Sequence, residues 1–344
     1  MTIRRGSVLV LVLWTLFFLS ALAIAVAARV DAGLKLASWC KTRTEAYCLA
    51  EAGVEKAIME AMVNTNMLDT TAKSLADSEA AFRDVRLGGG TFSVYHLTHE
   101  LGEGAATNYG VIDEESRINA SKASSNLLAS FAMTVGGVDS VTANELAGGI
   151  VDLRNRDDDV LTGGVGNNYY KGPSEPSSSH KGALQSVYEL LLVKGMSPEL
   201  FQRLEPHVTV YGSGKVNINT ADSAVLASVA STCGGDSATC ASLAQKIVVF
   251  RQEQGKGAGI SSAGGGDIVA QIVRLADLSA NEARLFSGML PFLTLQSTCF
   301  RGIAEGRSSL SDAMHGEARM LGDVIRIEFV FDRAHGTKVF WYEN

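Results

Sequence analysis

The first sixty residues carry the most continuous apolar pattern of the chain. An uncharged run of 22 residues extends from Ser7 to Ala28, preceded by Arg4 and Arg5. As a helix this run would rise roughly 33 Å, enough to cross a hydrocarbon core of about 30 Å. Beyond it, apolar residues recur at three- and four-residue steps as far as Met62. The pattern predicts one long helix whose first part, residues 7–28, spans a membrane with the arginines on the cytoplasmic side.

A cleavable secretory signal is the alternative interpretation of this segment. Ala25-Val26-Ala27 offers a small-x-small cleavage site. The apolar run is, however, longer than the usual signal core of about 7 to 15 residues, and the helical pattern continues past the site. A retained helix is therefore the favoured interpretation.

Alternating apolar and polar residues predict strands at both ends of the remaining chain. The first are Thr91–Leu97 and Asn108–Ile112, and the last are Phe292–Ile303, Asp323–Phe331 and Lys338–Tyr342. A long helical stretch separates the two groups. The predicted fold is α+β: an N-terminal transmembrane helix packed on an antiparallel sheet, which is split by a large all-α insertion.

The helical stretch contains one pattern twice. Arg117–Ser121 is followed by Leu146–Arg154, and Val216–Ala221 is followed by Leu243–Arg251, with a period just under one hundred residues. A duplicated helical module is predicted, with repeats at about 117–211 and 216–291. Near the start of each copy, a side-chain oxygen is expected to cap the following helix; the candidates are Asn119 or Ser121, and Asn219 or Thr220.

The N-terminus resembles the leader of type IV pilins and of the pseudopilins of type II secretion. A short basic leader ends at Gly6 and is followed directly by the apolar helix. The resemblance implies cleavage between Gly6 and Ser7 by a prepilin peptidase, with methylation of the new N-terminus. One position departs from that family, because Leu11 stands where it usually carries Glu.

Over nearly its whole length the chain resembles the family of the largest minor pseudopilin of type II secretion, the K subunit (GspK-like). The features that carry this resemblance are the leader, Leu11, and a duplicated insertion that begins with Asp113–Asn119. The implied organisation is a leader (1–6), a transmembrane part (7–28), a pilin core (29–112), the helical insertion (113–291) and C-terminal core strands (292–344).

The resemblance implies a structural role without enzymatic activity. Such a subunit forms the tip of the pseudopilus and starts its assembly for protein export across the outer membrane. The implied partners are minor pseudopilins of the I, J and H types, the prepilin peptidase and the inner-membrane secretion platform, and no nucleic acid is expected. The implied location is the inner membrane, single-pass, with the soluble part in the periplasm. A tip subunit of a type IV pilus is an alternative within the same class.

A different class of protein is suggested by Val216–Gly255, which resembles helix-hairpin-helix DNA-binding modules. Those modules hold phosphate with a glycine-rich hairpin, which here is the acidic run Cys233–Cys240. The chain has 30 Lys and Arg against 37 Asp and Glu, a net charge of −7. Because cationic contacts supply most nucleic-acid affinity, a membrane-anchored DNA-binding protein is the less favoured alternative.

The densest carboxylate group is Asp157, Asp158 and Asp159. It opens like a calcium loop, but Val160 and Gly166 stand where an EF-hand needs Gly and Glu. A looser calcium site with oxygen ligands is the hypothesis for these residues, and a solvated acidic loop is the alternative.

The sequence offers few other candidates for catalytic or covalently linked residues. The sequence contains no H-E-x-x-H, G-x-S-x-G or Walker motif. Of its five cysteines, Cys233 and Cys240 lie in one short loop and are predicted to form a disulfide in an exported domain. Cys40 and Cys48 are too far apart on one helix to bridge, about 12 Å, and are expected to be packed, while Cys299 has no evident partner.

Overall fold

The computed structural model describes residues 5–63, 76–98, 106–155, 183–253, 272, 277–309 and 324–344. Helix α1 spans Arg5–Val63, which confirms the single long N-terminal helix. From Val8 to Lys41 its side chains are exposed, apart from a half-buried Ser38, and Thr42 is the first buried one. At about 1.5 Å per residue, roughly 50 Å of helix precedes the globular part.

The C-terminal half of α1 lies on an antiparallel sheet of seven strands, as the sequence predicts. Numbered along the whole chain, the strands of this sheet are β1 (Val85–Leu87), β2 (Gly90–Thr98), β3 (Ala106–Asn108), β4 (Ile112–Asp113), β9 (Cys299–Ser308), β10 (Val324–Asp332) and β11 (Thr337–Glu343). Their order is β1-β2-β9-β10-β11, with β3 also paired to β2 and β4 to β9. A short helix, α2 (Glu79–Phe82), precedes β1.

Two strand predictions differ in their bounds. The strand expected at Asn108–Ile112 is two short strands, because the chain turns at Gly110, where φ is +148°. Ala106–Asn108 pairs with β2 and Ile112–Asp113 with β9. The run expected at Phe292–Ile303 is also divided, and its first part, β8 (Leu293–Thr294), pairs inside the insertion instead of joining the sheet.

Small residues bring α1 close to the sheet. Ala46 and Ala50 are fully buried on α1. Opposite them stands Gly306 of β9, where an added Cβ would lie 2.1 Å from the Ala46 carbonyl oxygen. Gly53 of α1 likewise faces the side chain of Phe92, which would lie 3.1 Å from an added Cβ. A larger side chain at Gly306 would therefore push the helix off the sheet.

The insertion consists of two copies of one module, as the sequence predicts, but it is not all-α, because each copy also contains two short strands. The first copy contains β5 (Ile118–Asn119), α3 (Ser125–Thr134), α4 (Ser140–Arg154), α5 (Pro198–Leu204) and β6 (Val208–Thr209). The second contains β7 (Val216–Asn217), α6 (Ser223–Thr232), α7 (Ser237–Glu253), α8 (Ala280–Met289) and β8. In each copy the first strand pairs in parallel with the last, β5 with β6 and β7 with β8. Both copies contribute to one apolar core.

The start of each module differs in detail from the sequence-based expectation. Asn119 accepts a hydrogen bond from the Ser121 amide at 2.9 Å, and its counterpart in the second copy is Asn217, which accepts from the Asn219 amide at 3.0 Å. The helix caps expected at Asn119 or Ser121 and at Asn219 or Thr220 are therefore both wrong, because these asparagine-containing turns precede the residues that cap the helices.

The helix caps themselves lie a few residues further along. Ser124 caps α3 by accepting from the Leu127 amide, and Asp222 caps α6 by accepting from the Val225 amide at 2.7 Å. The asparagines thus shape the turn that leads into each helix, and a separate residue caps it.

Candidate functional site

Three consecutive carboxylates lie buried where the sheet leads into the insertion. Asp113, Glu114 and Glu115 are 3 %, 0 % and 1 % exposed; Asp113 is the last residue of β4, and Glu114 and Glu115 begin the turn of 3-10 helix that follows, Glu114–Ser116. We refer to these three residues as the junction cluster. Burying charge is costly unless each group is paired or hydrogen-bonded, so the partners of the cluster define what it does.

Glu114 connects the sheet to the end of the first repeat. Its Oε1 lies 2.9 Å from Nε of Arg301 on β9 and 3.2 Å from Nη1 of Arg117. Its other oxygen accepts a hydrogen bond from the Thr209 hydroxyl on β6. One carboxylate thus holds a strand of the sheet and the last strand of the first repeat.

Asp113 connects the sheet to the start of the second repeat. Its Oδ2 accepts from the Asn217 amide group at 3.0 Å, from the Thr220 hydroxyl at 2.5 Å and from the Ser297 hydroxyl. Burial raises the pKa of Asp113 to about 6, against the hydrogen bonds from Ser297 and Thr220, which favour the ionised form. The nearby Glu115 carboxylate also raises this pKa.

Glu115 connects the linker between the repeats to the start of β9. Its Oε1 accepts from the Ser213 amide at 3.0 Å and from the Thr298 hydroxyl at 2.5 Å. Its Oε2 accepts from the backbone amides of Thr298 and Cys299. Gly212 has φ of +92°, and an added Cβ there would lie 3.2 Å from Cγ of Glu115. The linker therefore packs directly on this side chain.

The junction cluster thus fixes both repeats and the sheet to one another. Its oxygens are occupied by donors from the protein itself, and in the described part of the chain no group of three His, Cys, Asp or Glu side chains is placed to hold a metal ion. The arrangement is that of a rigid joint between the sheet and the two repeats.

The residues singled out from the sequence lie elsewhere. Gly6 and Ser7 are in the first turn of α1. Asp157, Asp158 and Asp159 lie outside the described residues, so calcium binding there stays a prediction. Cys233 and Cys240 are not bonded to each other in this structure, and their disulfide stays a prediction.

The other three cysteines divide into exposed and buried groups. Cys40 and Cys48 are exposed on α1, contrary to the expectation that they are packed. Cys299 is buried, and this burial raises the pKa of its thiol to about 12.

The sequence located the start of the insertion at Asp113–Asn119 but not the joint formed there. Three acidic residues in a row are typical of a solvated surface, and apart from Arg117 the side-chain partners of the cluster are 95 to 187 positions away in the chain. The one sequence signal for this joint was the similar start of the two repeats, Ile118-Asn119 and Val216-Asn217. Of these two asparagines, Asn217 donates a hydrogen bond to Asp113.

Fold and junction together define a class of protein. The N-terminal helix is long and apolar enough to cross a membrane, and none of its most apolar window is buried in the protein. Its second half packs on an antiparallel sheet in the manner of pilins, and a duplicated helical block is fixed to that sheet. This is a pilin-like architecture with an unusually large insertion.

Comparison with known proteins narrows the class further. Residues 105–213, which include the junction cluster and the first repeat, match the family described as Type II secretion system (T2SS), protein K. The resemblance to the GspK-like minor pseudopilins is thereby confirmed.

Among solved structures, the chain is similar to one in the crystal structure of the GspK-GspI-GspJ complex from the enterotoxigenic Escherichia coli Type 2 Secretion System. The TM-score is 0.57 at 16 % sequence identity, and the match covers 92 % of this chain and 99 % of that one. This likeness shows a shared fold along nearly the whole chain. No curated protein matches the sequence.

Proposed function

We propose that this protein is the K-type minor pseudopilin at the tip of a type II secretion pseudopilus, where it starts assembly together with minor pseudopilins of the I and J types. The role is structural: the subunit contributes a helix to the filament and a large block to its end. The match of residues 105–213 to protein K and the fold shared with a chain of the GspK-GspI-GspJ complex support this proposal.

The main support for a position at the tip is the size of the insertion that is fixed to the sheet. The block from Glu114 to Leu290 contains 177 residues, and the junction cluster holds it to β9. A regular helical stack would have to accommodate that volume at every subunit. At the end of a filament only one copy has to be accommodated.

Leu11 supports the same position. In pilins the residue at this place is usually a carboxylate, which is thought to neutralise the N-terminal amine of a neighbour within the apolar bundle. Burying a charge without a partner costs several kcal/mol. A subunit with Leu11 suits the end of the filament, where that neighbour is missing.

The exposed part of α1 supplies the surface for partner helices. Val30 and Leu34 are 55 % and 65 % exposed and lie one turn apart, between the apolar span and the sheet. In the membrane-anchored subunit the two arginines of the leader hold the extreme N-terminus in the cytoplasm, so the sheet and insertion face the periplasm. Prepilin peptidase, the H-type subunit and the inner-membrane secretion platform are the further partners that this proposal implies.

Co-purification tests the proposal. The full-length tagged chain is expressed with the I- and J-type subunits of the same organism, and both are expected to elute with it from detergent extracts. Leu34→Arg should reduce their recovery several-fold, whereas Val141→Arg, at a 67 % exposed position on the insertion, should leave it unchanged. Recovery of neither subunit with the unsubstituted chain would contradict the proposal.

Immunogold labelling tests the position in the filament. Label is expected at one end of isolated pseudopili, and label repeated along the shaft would exclude the tip. A gel shift with duplex DNA over a range of salt concentrations addresses the alternative class, because binding that weakens steeply with salt would favour a DNA-binding protein.

A further inference from the structure

Two cysteines lie at the two ends of the hairpin between α6 and α7. Cys233 directly follows α6, and Cys240 lies in the first turn of α7. Cys240 is 2 % exposed and Cys233 is half-buried. Glycines surround both sulfurs: an added Cβ at Gly235 would lie 2.5 Å from Sγ of Cys240, and one at Gly288 would lie 3.3 Å from Sγ of Cys233. The pair is thus enclosed between the hairpin and α8.

The first repeat provides an internal comparison for this hairpin. Asp139 accepts from the Thr142 amide at 3.1 Å and from its hydroxyl at 2.8 Å, and Asp236 accepts from the amide and hydroxyl of Thr239 at 3.0 and 2.6 Å. This shared cap fixes the alignment of the two hairpins at their second helix.

In that alignment the cysteines replace two apolar residues. Cys240 corresponds to Ala143, which is fully buried, because each follows its threonine directly. Cys233 corresponds to Val135, since each is the residue that ends the first helix of its module. One buried cysteine could be explained as a small apolar side chain. Two cysteines at both ends of one hairpin, both absent from the other copy, are better explained as a bonded pair.

Two other uses of the pair fit less well. A metal site would need further ligands, and among the described residues no third His, Cys, Asp or Glu joins the two thiols. A catalytic thiol pair would need at least one sulfur with a depressed pKa, whereas burial raises the pKa of both Cys233 and Cys240. Low reactivity and enclosure are typical of a structural disulfide.

We propose that Cys233 and Cys240 form a disulfide that closes the hairpin of the second repeat in the mature protein. The two thiols lose two protons and two electrons to a disulfide of an oxidising thiol oxidoreductase or of oxidised glutathione, which becomes two thiols as the new S–S bond forms. Formation in cells rests on the periplasmic orientation proposed above. In the first repeat the corresponding residues are apolar instead: Ala143 belongs to the apolar core, and Val135 packs against it.

The bond is tested on the full chain purified in detergent under reducing conditions. After exchange into a buffer with oxidised glutathione, peptides are mapped without reduction. A linked peptide pair containing Cys233 and Cys240, two hydrogen atoms lighter than the separate peptides, is expected. Two free thiols at these positions after oxidation would overturn the proposal.

Thermal unfolding tests the structural consequence with matched variants. Reductant should lower the melting temperature of the oxidised chain by several degrees and leave Cys233→Ser/Cys240→Ser unaffected. A control variant, Cys40→Ser/Cys48→Ser, removes the exposed thiols of α1 and should keep the full response to reductant. An equal response in the Cys233→Ser/Cys240→Ser protein would overturn the proposal.

Orientation is measured separately with an alkaline phosphatase fusion at the C-terminus. A fusion that is inactive, together with a bond that forms in the purified chain, would contradict the periplasmic location and leave the disulfide supported. A fusion that is active, together with free thiols in protein trapped by alkylation at lysis, would overturn the bond and leave the location supported.

Discussion

The guanidinium of Arg301 lies 2.9 Å from the carboxylate of Glu114, which has no exposed surface. Removing one partner of a buried ion pair typically costs 3 to 5 kcal/mol, and the lower end of that range applies here because Arg117 remains 3.2 Å from Glu114. Arg301→Ala is therefore expected to lower the free energy of unfolding by about 3 kcal/mol. Urea unfolding followed by circular dichroism measures the loss.

A second arginine on the same strand provides the control. Arg307 also pairs with a glutamate, Glu305, but its side chain is 48 % exposed, and Glu305 keeps a second partner in Arg326. Arg307→Ala is expected to cost about 1 kcal/mol or less. Both glutamates are buried, so equal losses in the two variants would show that the lower exposure of Arg301, 22 %, does not decide the energy of the junction.

The stability of the protein should depend on the protonation of Asp113. Its pKa is about 6 in the folded protein against roughly 3.9 in an unfolded chain. Because the folded state holds the proton more tightly, the stability from this group is fully present below pH 4 and is lost as the pH rises through 6. The loss amounts to roughly 3 kcal/mol, since one pKa unit corresponds to about 1.4 kcal/mol.

Asp113→Asn isolates this contribution from that of the other carboxylates. Asparagine does not titrate, so the difference in unfolding free energy between the unsubstituted protein and the variant should fall between pH 4 and pH 7. Other carboxylates have the opposite effect on the pH dependence of stability. Burial raises the pKa of Glu282, but hydrogen bonds from Lys246 and Ser279 outweigh it and lower this pKa to about 2. A difference that stays constant with pH would contradict the assignment to Asp113.

Local patterns in the sequence predicted most of the fold. The apolar spacing that ends near Met62 corresponds to α1, which ends at Val63, and the alternation in Val324–Val330 corresponds to β10. Each of these signals arises from residues that are neighbours in the chain and face one common environment.

The junction could not be predicted in the same way. Its geometry depends on pairings such as Glu114 with Thr209, whose residues are 95 positions apart, and on a sheet strand that returns after the insertion. A run of carboxylates gives no local sign of burial, because burial depends on donors that only the folded chain brings together. The division of the run at 292–303 was missed for a related reason: an extended segment can join either the sheet or the insertion.

The N-terminus is expected to be processed at Gly6. Sequencing of the mature protein should begin at Ser7, with a methylated amine, and loss of the two arginines changes the net charge from −7 to about −9, as integer charge counting gives. Edman degradation or intact-mass measurement checks the site. A mature protein that begins after Ala27 would establish an ordinary secretory signal.

Calcium is expected to stabilise the protein through Asp157, Asp158 and Asp159. Close carboxylates repel one another unless a cation compensates them. Millimolar calcium should raise the melting temperature of the full chain in detergent, and Asp157→Asn/Asp159→Asn should abolish the rise. Glu145→Gln, at an exposed position on α4, should retain it. An unchanged melting temperature in calcium would identify the segment as a solvated acidic loop.

The duplicated module contains one arginine in each copy that joins the end of its second helix to the start of its first. In the second repeat, Nη1 of Arg251 donates to the carbonyl oxygens of Ile218 and Ala221 at 2.9 and 2.5 Å. In the first repeat, Nη1 of Arg154 donates to the carbonyl oxygen of Ala120 at 2.9 Å. Both arginines therefore connect the same two parts of their module, Arg251 with two hydrogen bonds and Arg154 with one.

Arg251→Ala should consequently destabilise the protein more than Arg154→Ala. A hydrogen bond from a charged donor contributes about 1.5 kcal/mol or somewhat more, so we expect a loss of roughly 3 kcal/mol for Arg251→Ala and about half of that for Arg154→Ala. Arg203→Ala, at an exposed position on α5, should change the unfolding free energy by less than about 0.5 kcal/mol.

Urea unfolding of the three variants measures these differences, and hydrogen exchange shows which repeat loosens. Because each arginine holds only its own module, exchange should increase in α6 and α7 for the first variant and in α3 and α4 for the second. A larger loss for Arg154→Ala, or loosening of the opposite repeat, would contradict the equivalence of the two modules.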